Sequence, residues 1–237
     1  MGSIYLLTLR QLFGRWRLLI MTILAAMPVV FAMLVLRFPP SPDIGEFEVV
    51  VFSAMLAGSI GPLVVLAIAT AAFANEIEDR TLANLTLTPL PRWQIVVPKL
   101  LAAISIAAPF MAVSAVLTAH VAFLGDWTAT VAVTAAILVG VALYSSAFVW
   151  LGLVTNYAIG FGLLYIVLWE GFFSGFVSGV RLLSIRHYSI AIMHGFDPRR
   201  FAEANTLSFG VAVIIAVTVF VGFLALSVRR LRRLDIP

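Results

Sequence analysis

The strongest constraint on this chain is a stretch without charge: from Trp127 to Trp169 there is no Asp, Glu, Lys or Arg. A helix crosses the hydrocarbon core of a bilayer in about 20 apolar residues, because each residue rises only about 1.5 Å. The stretch is too long for one crossing, and Thr155-Asn156-Tyr157 is its natural break. Spans are therefore expected at about 128–153 and 158–179. Similar apolar runs predict spans at 18–36, 49–74, 95–124 and 207–228. The second carries Gly58, Gly61 and Pro62, and the third carries Lys99 near its start and Pro109 near its middle. The fold class expected is an all-α integral membrane protein, with six transmembrane helices in a single domain over residues 1–237.

Composition agrees with this reading and narrows it. The chain is 62% hydrophobic and 11% charged, where a soluble domain has about 45–50% and about 25%. With no cysteine, disulfides, thiolate metal sites and cysteine nucleophiles are excluded. The net charge of +4 sits on basic residues beside the spans. Anionic lipid headgroups and the positive-inside bias explain them better than nucleic acid does. The first residues lack the short apolar core and cleavage site of a signal peptide, so the first span is expected to be retained.

Six crossings put both termini on one side. A cytoplasmic assignment places Arg10, Arg15, Arg17, Arg80, Arg92, Lys99, Arg229, Arg230, Arg232 and Arg233 inside, and Arg37, Arg181, Arg186, Arg199 and Arg200 outside. That split, ten against five, follows the positive-inside rule. Two further segments read as interfacial. Residues 3–17 carry Tyr5, Leu9, Leu12 and Trp16 at helical spacing, with Arg10, Arg15 and Arg17 available to headgroups, as in an amphipathic helix lying on a membrane. Residues 181–206 are too apolar for a free loop and too charged for a crossing, which predicts short helices dipping into the outer leaflet against protein.

Between the second and third spans stands a charged island. Glu76, Glu78, Asp79 and Arg80 fall within five positions. Asn75 and Glu78 form a loose capping box, and acidic groups in a first helical turn suit the helix dipole. Ile77, Leu82 and Leu85 supply an apolar edge until Pro89 and Pro91 end the segment. A short amphipathic helix over about 75–88, parallel to the membrane, is expected, with Lys99 snorkelling to the cytoplasmic headgroups. A chain that otherwise avoids charge has no solvation reason to collect it in one turn, so a partner outside the bilayer is expected to read it.

Glu76, Glu78, Thr81-Leu82, Leu85, Thr88-Pro89, Arg92 and Lys99 together resemble the signature of permeases of ATP-binding-cassette (ABC) type-2 transporters, with Arg80 where a glycine usually precedes Thr-Leu. The six spans, the interface helix and the structured loop before the last span match as well. The resemblance implies that Glu76, Glu78, Asp79, Arg80, Thr81, Leu82, Leu85, Pro89 and Arg92 form a coupling helix docking into a cytoplasmic ATPase subunit. It implies two copies of that ATPase, a second permease subunit forming a homodimer, and a prokaryotic inner membrane. No Gly-x-x-x-x-Gly-Lys-Ser/Thr phosphate loop occurs in the chain. ATP is thus expected to be bound by the partner, with no cofactor and no enzymatic activity in this subunit. The apolar lateral surface points to a hydrophobic or amphipathic cargo, such as a drug, lipid or peptide. A haem-exporter-like subunit is an alternative within the same mechanism.

Gly171, Gly175 and Gly179 form a small-residue stripe that would let helices approach closely, either across a dimer seam or within one chain. Glu170 lies deep in the expected fifth span, where a charge costs at least about 2.5–3.5 kcal/mol. It is read as lining a substrate path, as the proton carrier of a secondary transporter, or as a carboxyl satisfied by packing. No internal repeat of the kind such carriers often show is evident. His187 and His194 stand as polar loop residues rather than a metal site, and His120 as an interfacial or packing residue. An intramembrane serine protease around Ser174-Gly175 is excluded, because Phe172 stands where the rhomboid pattern needs glycine.

Overall fold

The computed structural model describes residues 2–38, 44–78, 91–173, 184–198, 201 and 207–233. They are almost entirely helical. Helix α1 spans Gly2–Leu12, α2 Arg15–Arg37, α4 Trp93–Ala122, α5 Trp127–Val154, α7 Ile185–Phe196 and α8 Phe209–Arg232. Helix α3 is built of four consecutive pieces, Ile44–Phe47, Glu48–Ile60, Gly61–Ala69 and Ala71–Glu78, the second wound as a π-helix. Helix α6 starts as an α-helix over Ala158–Leu164 and continues as a π-helix over Tyr165–Phe173. Such wide turns are rare and concentrate near functional sites.

Among the described residues, five helices are long and apolar enough to cross a membrane: Arg15–Arg37, Gly45–Ala74, Trp93–Ala122, Trp127–Val154 and Phe209–Arg232. The stretch Ala158–Phe172 is apolar but shorter, and the remainder of the expected fifth span lies outside the described residues. The expected break at Thr155-Asn156-Tyr157 is where α5 ends, with Thr155 extended as its C-cap and its hydroxyl accepting from the Tyr157 amide. At the other end Asp126 caps α5 by accepting from the Thr128 amide.

Helices α4 and α5 pack along each other at the centre, with α3 against both. Small residues make these approaches possible. A Cβ on Gly152 of α5 would stand 2.6 Å from the Thr70 carbonyl oxygen of α3, and one on Gly140 would stand 2.8 Å from Ser189 Oγ of α7. Lipid offers no hydrophobic drive between helices, so such close backbone contact supplies much of the packing. By contrast α2 and α8 lie at the rim, with Ile20, Ile23, Val30 and Met33, and Ile214, Val217 and Val221, turned outward.

The N-terminal amphipathic helix is shorter than residues 3–17 and is not simply laid on a surface. It ends at Leu12, before the extended Gly14 that caps α2. Thr8 and Leu12 are buried, and the Tyr5 hydroxyl donates to Ser105 Oγ of α4 at 3.0 Å. Trp16 belongs to α2 instead and is exposed. Residues 185–196 form an amphipathic helix, with Tyr188, Ile192 and Met193 among its buried side chains; residues 181–183, 199, 200 and 202–206 of the expected interfacial segment lie outside the described residues.

Candidate functional site

Among the described residues, buried ionisable side chains gather at three places along α3: its last turn, the stretch around Ser53 and Ala57, and its first turns. At its last turn Glu76 meets Lys99 of α4, Oε1 to Nζ, at 2.6 Å. The Lys99 side chain has no exposed surface and that of Glu76 has 5%. The ammonium also donates to the Ala72 carbonyl oxygen at 2.5 Å and stands 4.5 Å from the centre of the Phe73 ring. Ala72, Phe73 and Glu76 share one turn of α3, so a single cation binds a carbonyl, an aromatic face and a carboxylate of that turn.

This corrects one expectation. Lys99 does not snorkel to headgroups, because a carboxylate within the protein meets its charge where burial would otherwise leave it unpaired. Glu76, expected in the docking helix, has its carboxyl group turned inward onto Lys99. The rest of the island stands differently. Glu78 is the last residue of α3, Arg92 is the half-buried N-cap residue of α4, and Pro91 beside it is exposed. Asp79, Arg80, Thr81, Leu82, Leu85 and Pro89 lie outside the described residues. Arg10 and Arg15 are exposed and Arg17 is half-buried.

Farther back along α3, Glu170 of α6 is fully buried and surrounded by donors. The hydroxyls of Tyr144 and Tyr165 donate to its Oε1 at 2.9 Å each, and Ser184 Oγ donates to Oε2 at 2.5 Å. The backbone amides of Ile185 and Arg186, at the start of α7, reach Oε1 at 3.0 and 3.5 Å. Acidic groups are favoured at helix N-termini, and here the acid arrives from another helix. Ser184 closes the turn by accepting from the His187 amide. The Arg186 guanidinium donates to the Glu170 carbonyl oxygen at 3.3 Å and, through Nε, to Ser53 Oγ of α3 at 2.8 Å. It passes over Gly58, where a Cβ would stand 2.9 Å from Arg186 Cδ. One carboxyl thus joins α5, α6 and α7, and Arg186 adds α3. Of the readings open for Glu170, packing satisfaction is the one this geometry fits, since the side chain has no exposed surface and is surrounded by donors.

A second pair stands near the start of α3. His194 Nε2 of α7 and Glu48 Oε1 of α3 are in direct contact, and the imidazole stacks flat on Phe201 with ring centres 5.9 Å apart. Phe201 packs on Phe123, Phe123 on Phe52 and Phe52 on Phe47. His194 is therefore a packing and pairing residue, and among the described residues no three His, Cys, Asp or Glu are grouped to hold a metal ion. His120 lies 5.6 Å from the Trp127 ring, at the turn between α4 and α5. Gly171 is exposed with open space about it, apart from its own helix's Ile166 carbonyl at 3.6 Å. Gly175 and Gly179 lie outside the described residues.

Sequence reasoning marked Glu170 as needing partners but did not identify Tyr144, Tyr165, Ser184 or Arg186. Their spacing carries no helical or motif period, and only the fold brings them together. Glu48 was missed although an acidic residue opening an apolar run is itself a signal.

Comparison with known proteins agrees with the helical architecture. No curated protein matches the chain. Residues 14–185 match the family described as ABC-2 family transporter protein. The match runs from Gly14, the break before α2, to Ile185, the first residue of the helix that Glu170 caps, and so takes in the island and both ends of α3. The chain belongs to the ABC-2 transporter family, as a multi-pass membrane permease component of a class that generally works with an ATP-binding-cassette partner.

Proposed function

We propose that the chain is the transmembrane half of an ABC exporter, working as a homodimer with two copies of a cytoplasmic ATPase that dock on the island between α3 and α4. The observation that carries this is the family match across residues 14–185, which includes the island. ATP binding would draw the two ATPase subunits together and move the island, shifting the bundle between two states that bind cargo differently. Glu78, Asp79, Arg80, Thr81, Leu82, Leu85, Pro89 and Arg92 are the docking residues of this reading. A hydrophobic or amphipathic cargo suits the apolar outer faces of α2 and α8.

The fate of Arg186 supports a cytoplasmic island. It was one of the five basic residues counted against that orientation, and its guanidinium is engaged by Ser53 and the Glu170 carbonyl. The exposed Gly171, with room beside it, supports a subunit seam on α6. A proton carrier built on Glu170 is the weaker reading, since a carboxyl without exposed surface and with this many donors has no route to water.

The chain contains no cysteine, so single introduced cysteines report unambiguously. A photocrosslinker attached at Pro91→Cys should capture an ATPase bearing a phosphate loop in native membranes. The same group at Leu124→Cys, on the opposite side of α4, should not. Capture at Leu124 alone would overturn the orientation, and capture of no ATPase at either would overturn the docking.

A further inference from the structure

We infer that Glu76 and Lys99 are positioning residues for coupling: the buried pair fixes the last piece of α3 to α4, so that both ends of the island move as one body. The inference rests on the permease reading and goes beyond it, because it separates the residue that transmits a movement from those that receive the ATPase.

The piece Ala71–Glu78 is the last stretch of α3 and continues it through Thr70, which keeps helical dihedrals and accepts from the Ala74 amide at 3.1 Å. It packs along α5 and touches α1, with the Thr70 carbonyl abutting Gly152 of α5 at its start. The far turn is where Lys99 takes hold, through the Glu76 carboxylate at 2.6 Å, the Ala72 carbonyl at 2.5 Å and the Phe73 ring.

Lys99 sits one turn and a half into α4, whose first residue, Trp93, follows the island directly. The residue leaving α3 and the helix receiving the chain are therefore bridged at their root. Apolar packing alone would hold the two helices together, but it is tolerant of sliding and rotation. A buried ion pair is not, since any displacement leaves a charge unpaired in a medium of low dielectric. Buried ionisable groups in membrane segments are costly to retain, and fixing register is a role in which polar groups earn that cost. The carboxylate is thus committed to Lys99 through one oxygen, and its other oxygen, Oε2, is buried with no hydrogen-bond partner among the described residues.

The test uses the complex pulled from native membranes by a tag on this chain and reconstituted in lipid nanodiscs. Three forms are compared with wild type: Glu76→Gln, Lys99→Met, and the double variant Glu76→Met/Lys99→Met, which keeps volume and leaves no unpaired charge. Each is checked for folding by size-exclusion chromatography. Two quantities are read, the amount of ATPase retained and the ratio of its ATP hydrolysis rate in the complex to its rate alone. All three variants should retain ATPase at wild-type stoichiometry, while that ratio returns to within a factor of about two of unity. Should the single variants fail to fold, the double variant carries the test. Loss of ATPase from the double variant would mean that Glu76 or Lys99 is itself a docking group, and a wild-type ratio would mean that the pair has no part in transmission. Either result overturns the inference. A wild-type chain that retains no ATPase is the separate failure of the permease reading.

Discussion

Tyr144 and Glu170, twenty-six positions apart and on different helices, meet hydroxyl to carboxyl at 2.9 Å with both side chains buried. The same carboxyl takes Tyr165, Ser184 and the first amides of α7, so α5, α6 and α7 are tied around one group. A charged or polar side chain in this position is expensive in lipid unless satisfied, and the chain satisfies it from α5, from α6 itself and from the start of α7.

Removing one of these donors should cost little, and removing the acceptor should cost much. Tyr144→Phe should destabilise by about 0.6–1.7 kcal/mol, the range measured for single polar contacts between membrane helices. Glu170→Leu should destabilise by roughly 3 kcal/mol or more, because several buried donors lose their acceptor together. Thermal unfolding in a fixed detergent separates the two. Equal losses would show that Tyr144 carries the junction and that the other donors are incidental.

The pair Glu48–His194 joins the first turns of the π-helical part of α3 to the end of α7. A double-mutant cycle with Glu48→Gln and His194→Phe should give a coupling energy of about 1–3 kcal/mol. His194→Phe keeps the stack on Phe201 while removing the polar contact, so it isolates the pair from the aromatic cluster. Additive losses would mean that the contact contributes nothing of its own.

Glycine positions divide sharply by what a side chain would meet. Gly152→Val should destabilise by about 1–3 kcal/mol through overpacking, since its Cβ would press on the Thr70 carbonyl at 2.6 Å. Gly160→Ala, with nothing within 4 Å, should be neutral or slightly stabilising. Gly171→Leu should leave the single chain folded but reduce dimer crosslinking in membranes. Normal dimers in that variant would remove α6 from the seam.

Much of the fold was legible because it follows from hydrocarbon thickness. The charge-free run from Trp127 to Trp169 gave α5 and α6 with their break at Thr155, and the other apolar runs gave the long helices. What was not legible depends on which buried charge finds which partner. Lys99 in sequence looks like a headgroup lysine near a span's start, and only the return of α3 alongside α4 places Glu76 within reach of it. Glu170 signalled a cost without naming its donors, because the start of α7 comes back to it from beyond the end of the described α6. The interface helix was over-extended by reading Trp16 into its apolar face, when Gly14 already marked its end.

Charge distribution makes the orientation testable in intact cells. A membrane-impermeant maleimide should label Leu124→Cys, whose parent side chain is 97% exposed, from outside. It should label Pro91→Cys only after permeabilisation. The reverse pattern would put the island outside and end the docking proposal.

The central claim is that the island receives a separate ATPase while Glu76 serves from within. It is tested most directly by pulling the chain from native membranes and identifying by mass spectrometry what stays bound, in wild type, in Glu78→Lys/Asp79→Lys and in Glu76→Gln. The account predicts an ATPase with a phosphate loop bound to wild type and to Glu76→Gln, and lost from the charge-reversed variant. An ATPase lost from Glu76→Gln but kept by Glu78→Lys/Asp79→Lys would contradict it.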